Sequence, residues 1–253
     1  AYERVMRTGT LRCGYFAWPP FLTKDPNTGA LSGSVYDLIE EAAKQLTLKV
    51  EWTAEVDMAH MFEGIASGRY DAICGPLTPT PGRAREIAFV QVVGYAGIYF
   101  WVREGDTRFD NNFQAINNPD VGFSMVDGEY SSITAMKEFP KAKPVSLSQA
   151  AGAEMLMQVV GKKADVTLTD EFSFALFNAT NPGKLRKVKG GPLHVLPVTA
   201  LAVPKNAWPL KDMLDVAVNV MRDSGKLEEL LAKHETAQAK ILRLANPYQL
   251  PSE

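Results

Sequence analysis

Apolar residues follow two alternating spacings along the first third of the chain. Residues 10–16 form a short strand-like run, closed by Trp18-Pro19-Pro20 because proline lacks the donor a sheet ladder needs. After the turn residues Asp25-Pro26-Asn27-Thr28-Gly29, Val35, Leu38, Ile39, Ala42, Ala43 and Leu46 recur at i, i+3, i+4 and predict a helix capped by Ser34. Residues 48–52 read as a strand, Met61, Phe62 and Ile65 as a short helix ending at Gly68, and residues 70–74 as another strand. This β-α-β-α-β order predicts an open parallel sheet whose ligands sit beyond the carboxyl ends of its strands. The loops after Phe16 and Cys74 are therefore the first candidates for a site.

The pattern then repeats. Residues 121–125 predict a strand, 148–160 a helix closed by Gly161, 164–168 a strand, and 170–177 a helix. Two extended apolar segments, 95–103 and 195–203, flank this second unit and read as crossings between two lobes. Helices at 210–221 and 226–234 finish the chain and are expected to pack on the first lobe. The implied fold class is α/β and two-lobed, each lobe having its own open, mostly parallel sheet flanked by helices. Lobe 1 comprises 1–98 and 199–253, and lobe 2 comprises 99–198.

Composition narrows the function. A length of 253 residues with 46% hydrophobic and 22% charged content supplies ample core for a globular protein. A net charge of −2, from 27 basic and 29 acidic residues, gives no field that would gather nucleic acid or anionic lipid. The longest apolar stretch, 88–102, is broken by Gln91, Gly94 and Gly97 and is too short for a membrane helix. The amino terminus lacks a signal sequence, as a processed secreted protein also would. Cys13 and Cys74 are spaced for neither a metal nor a redox motif. They fall on neighbouring predicted strands, where a disulfide and two buried thiols are both open.

The most distinctive piece is Tyr70-Asp71-Ala72-Ile73-Cys74-Gly75-Pro76-Leu77-Thr78-Pro79-Thr80-Pro81-Gly82-Arg83, continuing to Ile87-Ala88-Phe89. With Gly9-Thr10-Leu11-Arg12, the Tyr15-to-Phe21 segment, Gly33 to Asp37 and Gly161 to Asp170, it resembles the amino-acid branch, family 3, of the bacterial extracellular solute-binding proteins. The similarity runs over nearly the whole chain. It implies a two-lobed periplasmic-binding-protein fold of type II, and a receptor that captures an amino acid or related zwitterion for a membrane-embedded ABC permease. It further implies a periplasmic location, or an extracellular one with a membrane tether, a monomer, and no cofactor, metal or catalytic residue.

Carried over position by position, the resemblance makes Arg83 the clamp for a ligand carboxylate, aided by Thr78 and by Pro76 in the same loop, and Asp170 the partner of an ammonium. The chemistry agrees, since a guanidinium presents a planar fork of donors suited to a carboxylate. Asp170 also has the place of an ordinary helix N-cap. Tyr15, Trp18 and Met58 fall where relatives sandwich the ligand; core packing is the alternative, weakest for Trp18 in its Pro-flanked loop and strongest for Met58, a general gap-filler. Where relatives carry a hydroxyl-bearing turn, this chain has Asp127-Gly128-Glu129. Gly128 and Glu129 are then candidate contacts. If Glu129 faces the cleft, two acids oppose Arg83 and a cationic ligand is favoured; if it lies in the first turn of a helix, it complements the macrodipole.

Two other functions share this pattern. Some relatives act as dehydratases of the cyclohexadienyl type, which requires a positioned general acid. His60, His194 and His234 form no nucleophile-base spacing, Ser173 stands where an acid is expected after Asp170, and Glu171 or Glu129 is the remaining candidate. A ligand-sensing module of a membrane receptor would use the same pocket.

Overall fold

The computed structural model describes residues 1–148, 150–236 and 239–245. In chain order, α1 (Tyr2–Thr8) leads into β1 (Thr10–Tyr15), the short strands β2 (Thr23–Lys24) and β3 (Leu31–Ser32), α2 (Ser34–Gln45), β4 (Lys49–Glu55), α3 (Met61–Ala66) and β5 (Ala72–Leu77). Next come α4 (Arg83–Glu86), β6 (Ile87–Phe89) and the long β7 (Val92–Arg103). The second unit holds β8 (Gly122–Val126), α5 (Tyr130–Glu138), β9 (Lys143–Leu147), α6 (Gly152–Val160), β10 (Val166–Asp170), α7 (Glu171–Thr180) and β11 (Leu185–Lys187). The chain returns through β12 (His194–Pro204) to α8 (Trp208–Asp223) and α9 (Lys226–His234).

Strand β1 lies between β4 and β5, parallel to both, and β8 lies between β9 and β10 in the same manner. The two parallel groups match the two predicted units. They are not separate sheets, however. Strands β7 and β12 pair antiparallel with each other along the crossing, Val92 opposite Thr199 and Ile98 opposite His194. Strand β12 then continues the ladder to β5, and β7 continues it to β10. The two parallel groups of the expected two-lobed fold are thus joined through the crossings into one mixed, curled ladder, because both crossing segments satisfy their backbone groups on each other.

The buried side chains gather in three cores, the largest of which also takes in Val126, Met155 and Phe172 of the second unit. One core packs the stripe Val35, Leu38, Ile39 and Ala42 of α2 with Leu214 and Val218 of α8 and Leu227 and Leu231 of α9 over β1 and β5. A second gathers Phe100, Phe123, Phe139 and Leu168, and a third Trp101, Leu156 and Phe177. The carboxyl-terminal helices α8 and α9 both pack on α2, and Lys233 and His234 bind Asp37 at 2.6 and 2.8 Å.

Local corrections have local causes. Gly33, rather than Ser34, caps α2: its φ is 119°, and a Cβ there would lie 2.4 Å from the Phe21 carbonyl oxygen. Helix α6 starts at Gly152 rather than 148, its first turn fixed by the Glu154 carboxylate accepting from the Ala151 amide at 2.9 Å. Gln149, within that predicted helix, lies outside the described residues. The strand predicted at 70–74 is shifted to Ala72–Leu77, since Asp71 is held instead by Arg4 and Arg12. Cys13 and Cys74 are joined in a disulfide, with Cα atoms 5.5 Å apart on the adjacent strands β1 and β5. Among the described residues, no helix is long and apolar enough to cross a membrane.

Candidate functional site

The loops at the carboxyl ends of β1, β4, β5, β8 and β10 converge between the lobes. There they enclose a cavity of about 50 Å³, lined by Trp18, Met58, Pro76 and Thr78 from one side and Glu129, Tyr130 and Asp170 from the other. Its floor is Ala96, Ile98, Leu196 and Val198, alternate residues of the two crossing strands. Trp18 and Met58 also border a larger open crevice of about 1070 Å³.

Arg83 opens α4 and is only 6% exposed. The loop before it is folded back by the Thr80 hydroxyl, which accepts from the Arg83 amide at 3.2 Å. The guanidinium donates from Nη1 to the Thr78 carbonyl at 3.0 Å and from Nη2 to the Gly128 carbonyl at 2.7 Å. The second bond crosses from one lobe to the other. Burial lowers the guanidinium's affinity for its proton, and the neighbouring carboxylate of Glu129 works in the opposite direction.

Gly128 is where the lobes approach most intimately. Its φ is 76°, and a Cβ would sit 2.9 Å from the Cα of Ala59. Any other residue would strain the backbone and press on the facing lobe. Glu129 follows as the N-cap of α5, its carboxylate accepting from the Ser131 amide at 2.5 Å. Both readings open for this residue describe it: it caps the helix and it lines the cavity. Burial raises its pKa, outweighing the hydrogen bond from Ser131 and the charge of Arg83.

Asp170 combines two roles in the same way. It caps α7, taking the Ser173 amide at 2.8 Å on one oxygen, while the other accepts the Ser173 hydroxyl at 2.9 Å. The Trp18 indole approaches this second oxygen across the cleft at 3.5 Å. Beside it, Phe21 and Phe172 join the two lobes with ring centroids 4.9 Å apart.

Tyr15 is not among the residues lining the cavity. It packs edge-on against Trp52 with centroids 5.7 Å apart, towards β4. As the last residue of β1, its side chain alternates away from the face that carries the loop. Glu171 likewise turns outwards, to Lys187. Sequence reasoning missed Tyr130, whose hydroxyl contacts Nδ1 of His194 at 2.8 Å, with Glu138 3.6 Å from the other ring nitrogen. It also missed Phe21 and the floor, although the two-residue alternation in the crossing strands was a usable signal for the latter. Among the described residues, no group of His, Cys, Asp and Glu is arranged to hold a metal ion.

Comparison with known proteins gives a consistent picture. The family of bacterial extracellular solute-binding proteins, family 3, matches residues 11–237. A probable amino-acid ABC transporter-binding protein of Haemophilus influenzae is 24% identical over 238 residues, covering 90% of this chain and 85% of that protein. The crystal structure of an ancestral amino acid-binding protein, a precursor of cyclohexadienyl dehydratase, superimposes with a TM-score of 0.80 at 27% identity, covering 92% of this chain and 98% of the other. A cysteine-binding protein from Campylobacter jejuni shares the fold, with a TM-score of 0.80 at 21% identity over 94% of this chain and 93% of its own.

Proposed function

The chain belongs to family 3 of the bacterial extracellular solute-binding proteins, and we propose that it captures an amino acid between its lobes and presents it to a membrane-embedded ABC permease. The observation that carries this reading is the cavity itself. Residues from five loops far apart in sequence meet there, with Thr78 on one wall, Arg83 bonded to it from behind, and Asp170 on the other wall. Opposite charges on opposite walls suit a zwitterion. Arg83 would hold the carboxylate with its remaining N–H groups and Asp170 the ammonium, while Trp18 and Met58 cover the side chain. Pro76, Gly128 and Glu129 complete the contacts.

In this reading the protein works outside the cytoplasm, in the periplasm or tethered to the outer surface, as a monomeric carrier that leaves its ligand unchanged. The lobes divide at 98 and 198, a boundary supported by Ile98, which pairs with His194 on one side and with Asp170 on the other. Ligand binding would draw the lobes together by bending within β7 and β12. A thermal-shift screen against amino acids, amines and small carboxylates tests the function, and scattering with and without the best ligand tests closure. A raised melting temperature together with a smaller radius of gyration is expected; no shift with any compound overturns the reading.

Glu129 favours a second reading, in which the same cavity dehydrates a cyclic carboxylic acid. A carboxyl group whose pKa burial raises has the character of a general acid. Its oxygen is nevertheless engaged as the cap of α5, which argues for binding. Recovery of the best ligand chemically unchanged after long incubation, followed by NMR, decides between the two.

A further inference from the structure

We infer that the captured solute carries a net charge of +1 and is a basic amino acid rather than a neutral or acidic one; this rests on the receptor reading above. The charges around one enclosed space do not balance. The cavity wall contains the carboxylates of Glu129 and Asp170 and no Lys, Arg or His. Behind it stand Arg83, donating to the Thr78 and Gly128 carbonyls, and His194, which contacts the Tyr130 hydroxyl and has Glu138 on its other side. With both carboxyl groups ionised, two carboxylates and one guanidinium leave the site one negative charge in excess, a state that burial opposes for Glu129 and that a ligand cation beside it would favour.

The excess is not relieved elsewhere in the protein. Asp170 is 6% exposed, and its donors, Ser173, Thr169 and the Trp18 indole, are all neutral. Glu129 receives a backbone amide and shares the influence of Arg83. Buried carboxylates without full compensation are unfavourable, so the closed state gains most from a ligand that brings positive charge. A neutral zwitterion satisfies Arg83 and Asp170 and leaves Glu129 unmatched. A basic amino acid brings one further cation.

The adjoining crevice has the same sign. Glu55, Asp57, Glu63 and Glu154 border it, against Arg69 and His60. Trp18 and Met58 line both spaces, so a ligand side chain leaving the cavity between them enters acidic surroundings. The Trp18 ring adds a surface on which a cation is favoured over a neutral group.

The test is a calorimetric series on the whole chain with lysine, glutamine and glutamate at low ionic strength. Lysine is expected to bind at least about tenfold more tightly than glutamine, with glutamate weaker again. In Glu129→Gln, which keeps an oxygen for the Ser131 amide, the lysine-to-glutamine preference is expected to fall at least about tenfold. The wild-type series stands without the variant should the latter fold poorly. Glutamine or glutamate binding as tightly as lysine overturns the charge assignment and leaves the receptor reading intact. An unchanged preference in a folded Glu129→Gln protein removes Glu129 as its cause and overturns the assignment. Binding of no amino acid at all overturns the receptor reading, and this inference with it.

Discussion

Arg83 holds the carbonyl oxygens of Thr78 and Gly128 with one guanidinium, at 3.0 and 2.7 Å, so a single side chain is hydrogen-bonded to both lobes at once. A residue that binds ligand from this position would also report closure. Arg83→Ala removes the donor fork and leaves the Gly128 carbonyl without its partner. Losing one member of a desolvated charged contact costs about 2 to 5 kcal/mol, so affinity for an amino acid should fall at least about thirtyfold. The melting temperature of the ligand-free protein should move little by comparison. Calorimetry showing unchanged affinity removes Arg83 from the site.

Asp170 separates an amino acid from a simple carboxylate. Asp170→Asn retains the shape and caps α7 about as well as aspartate does, because either side chain can accept the Ser173 amide. Affinity for an amine-bearing ligand should drop while its deaminated analogue is little affected. Equal losses for both, or lower stability with unchanged affinity, would assign Asp170 to the helix cap alone.

The Cys13–Cys74 disulfide closes a loop with a sequence separation of 61. Restriction of the unfolded chain by a loop of that size is worth up to about 4 kcal/mol, and measured effects commonly fall between about 2 and 4. The double replacement Cys13→Ala, Cys74→Ala should lower the denaturant midpoint accordingly. Since Cys74 precedes the loop carrying Pro76 and Thr78, ligand affinity in the variant should also be measured. A preserved affinity would show that the loop is positioned by its own hydrogen bonds.

Asp71 gives a prediction on the acid side. It is 2% exposed and takes hydrogen bonds from Arg4 on α1 and Arg12 on β1. Burial raises its pKa, but the bonds from Arg12 and Arg4 outweigh it, and the net shift is downward. A carboxyl whose folded pKa is lowered contributes stability that is full above its unfolded pKa, about 4, and is lost as pH falls towards the folded one. Chemical denaturation across that range should show the wild type losing stability that Asp71→Asn never had. Parallel profiles for the two proteins would place the acid sensitivity elsewhere.

Much of this architecture was written in local patterns. The stripe of α2 follows from periodicity because it buries one helix face, and the two crossing segments follow from their continuous apolar runs, since each is buried on both sides over much of its length. Helix α1 left no such trace. It buries only Val5 and is anchored through Arg4 to Asp71, a residue 67 positions away. The site was legible in part. Thr78 follows β5 and Asp170 ends β10, both lining the cavity, while Arg83 opens α4 and bonds to the Thr78 carbonyl from behind it. Tyr15 was misplaced because proximity in sequence to Trp18 does not fix the direction of a side chain at a strand's end. Glu129 was ambiguous because helix caps and cleft walls draw on the same residues when a helix begins at the cleft.

The tryptophan beside Asp170 has a practical consequence. Of the four tryptophans, Trp101 is buried against Phe174, Trp208 is half exposed on α8, and Trp52 is tied to Glu40 at 2.8 Å within the first lobe. Trp18 alone has its indole nitrogen against the opposite lobe, at 5% exposure. When the lobes part, this ring passes from an enclosed carboxylate environment into water while the others stay as they are. Intrinsic emission should therefore shift to the red on opening and to the blue on ligand capture. A Trp18→Phe protein should lose that signal, so the native chain is its own optical sensor, with no label required.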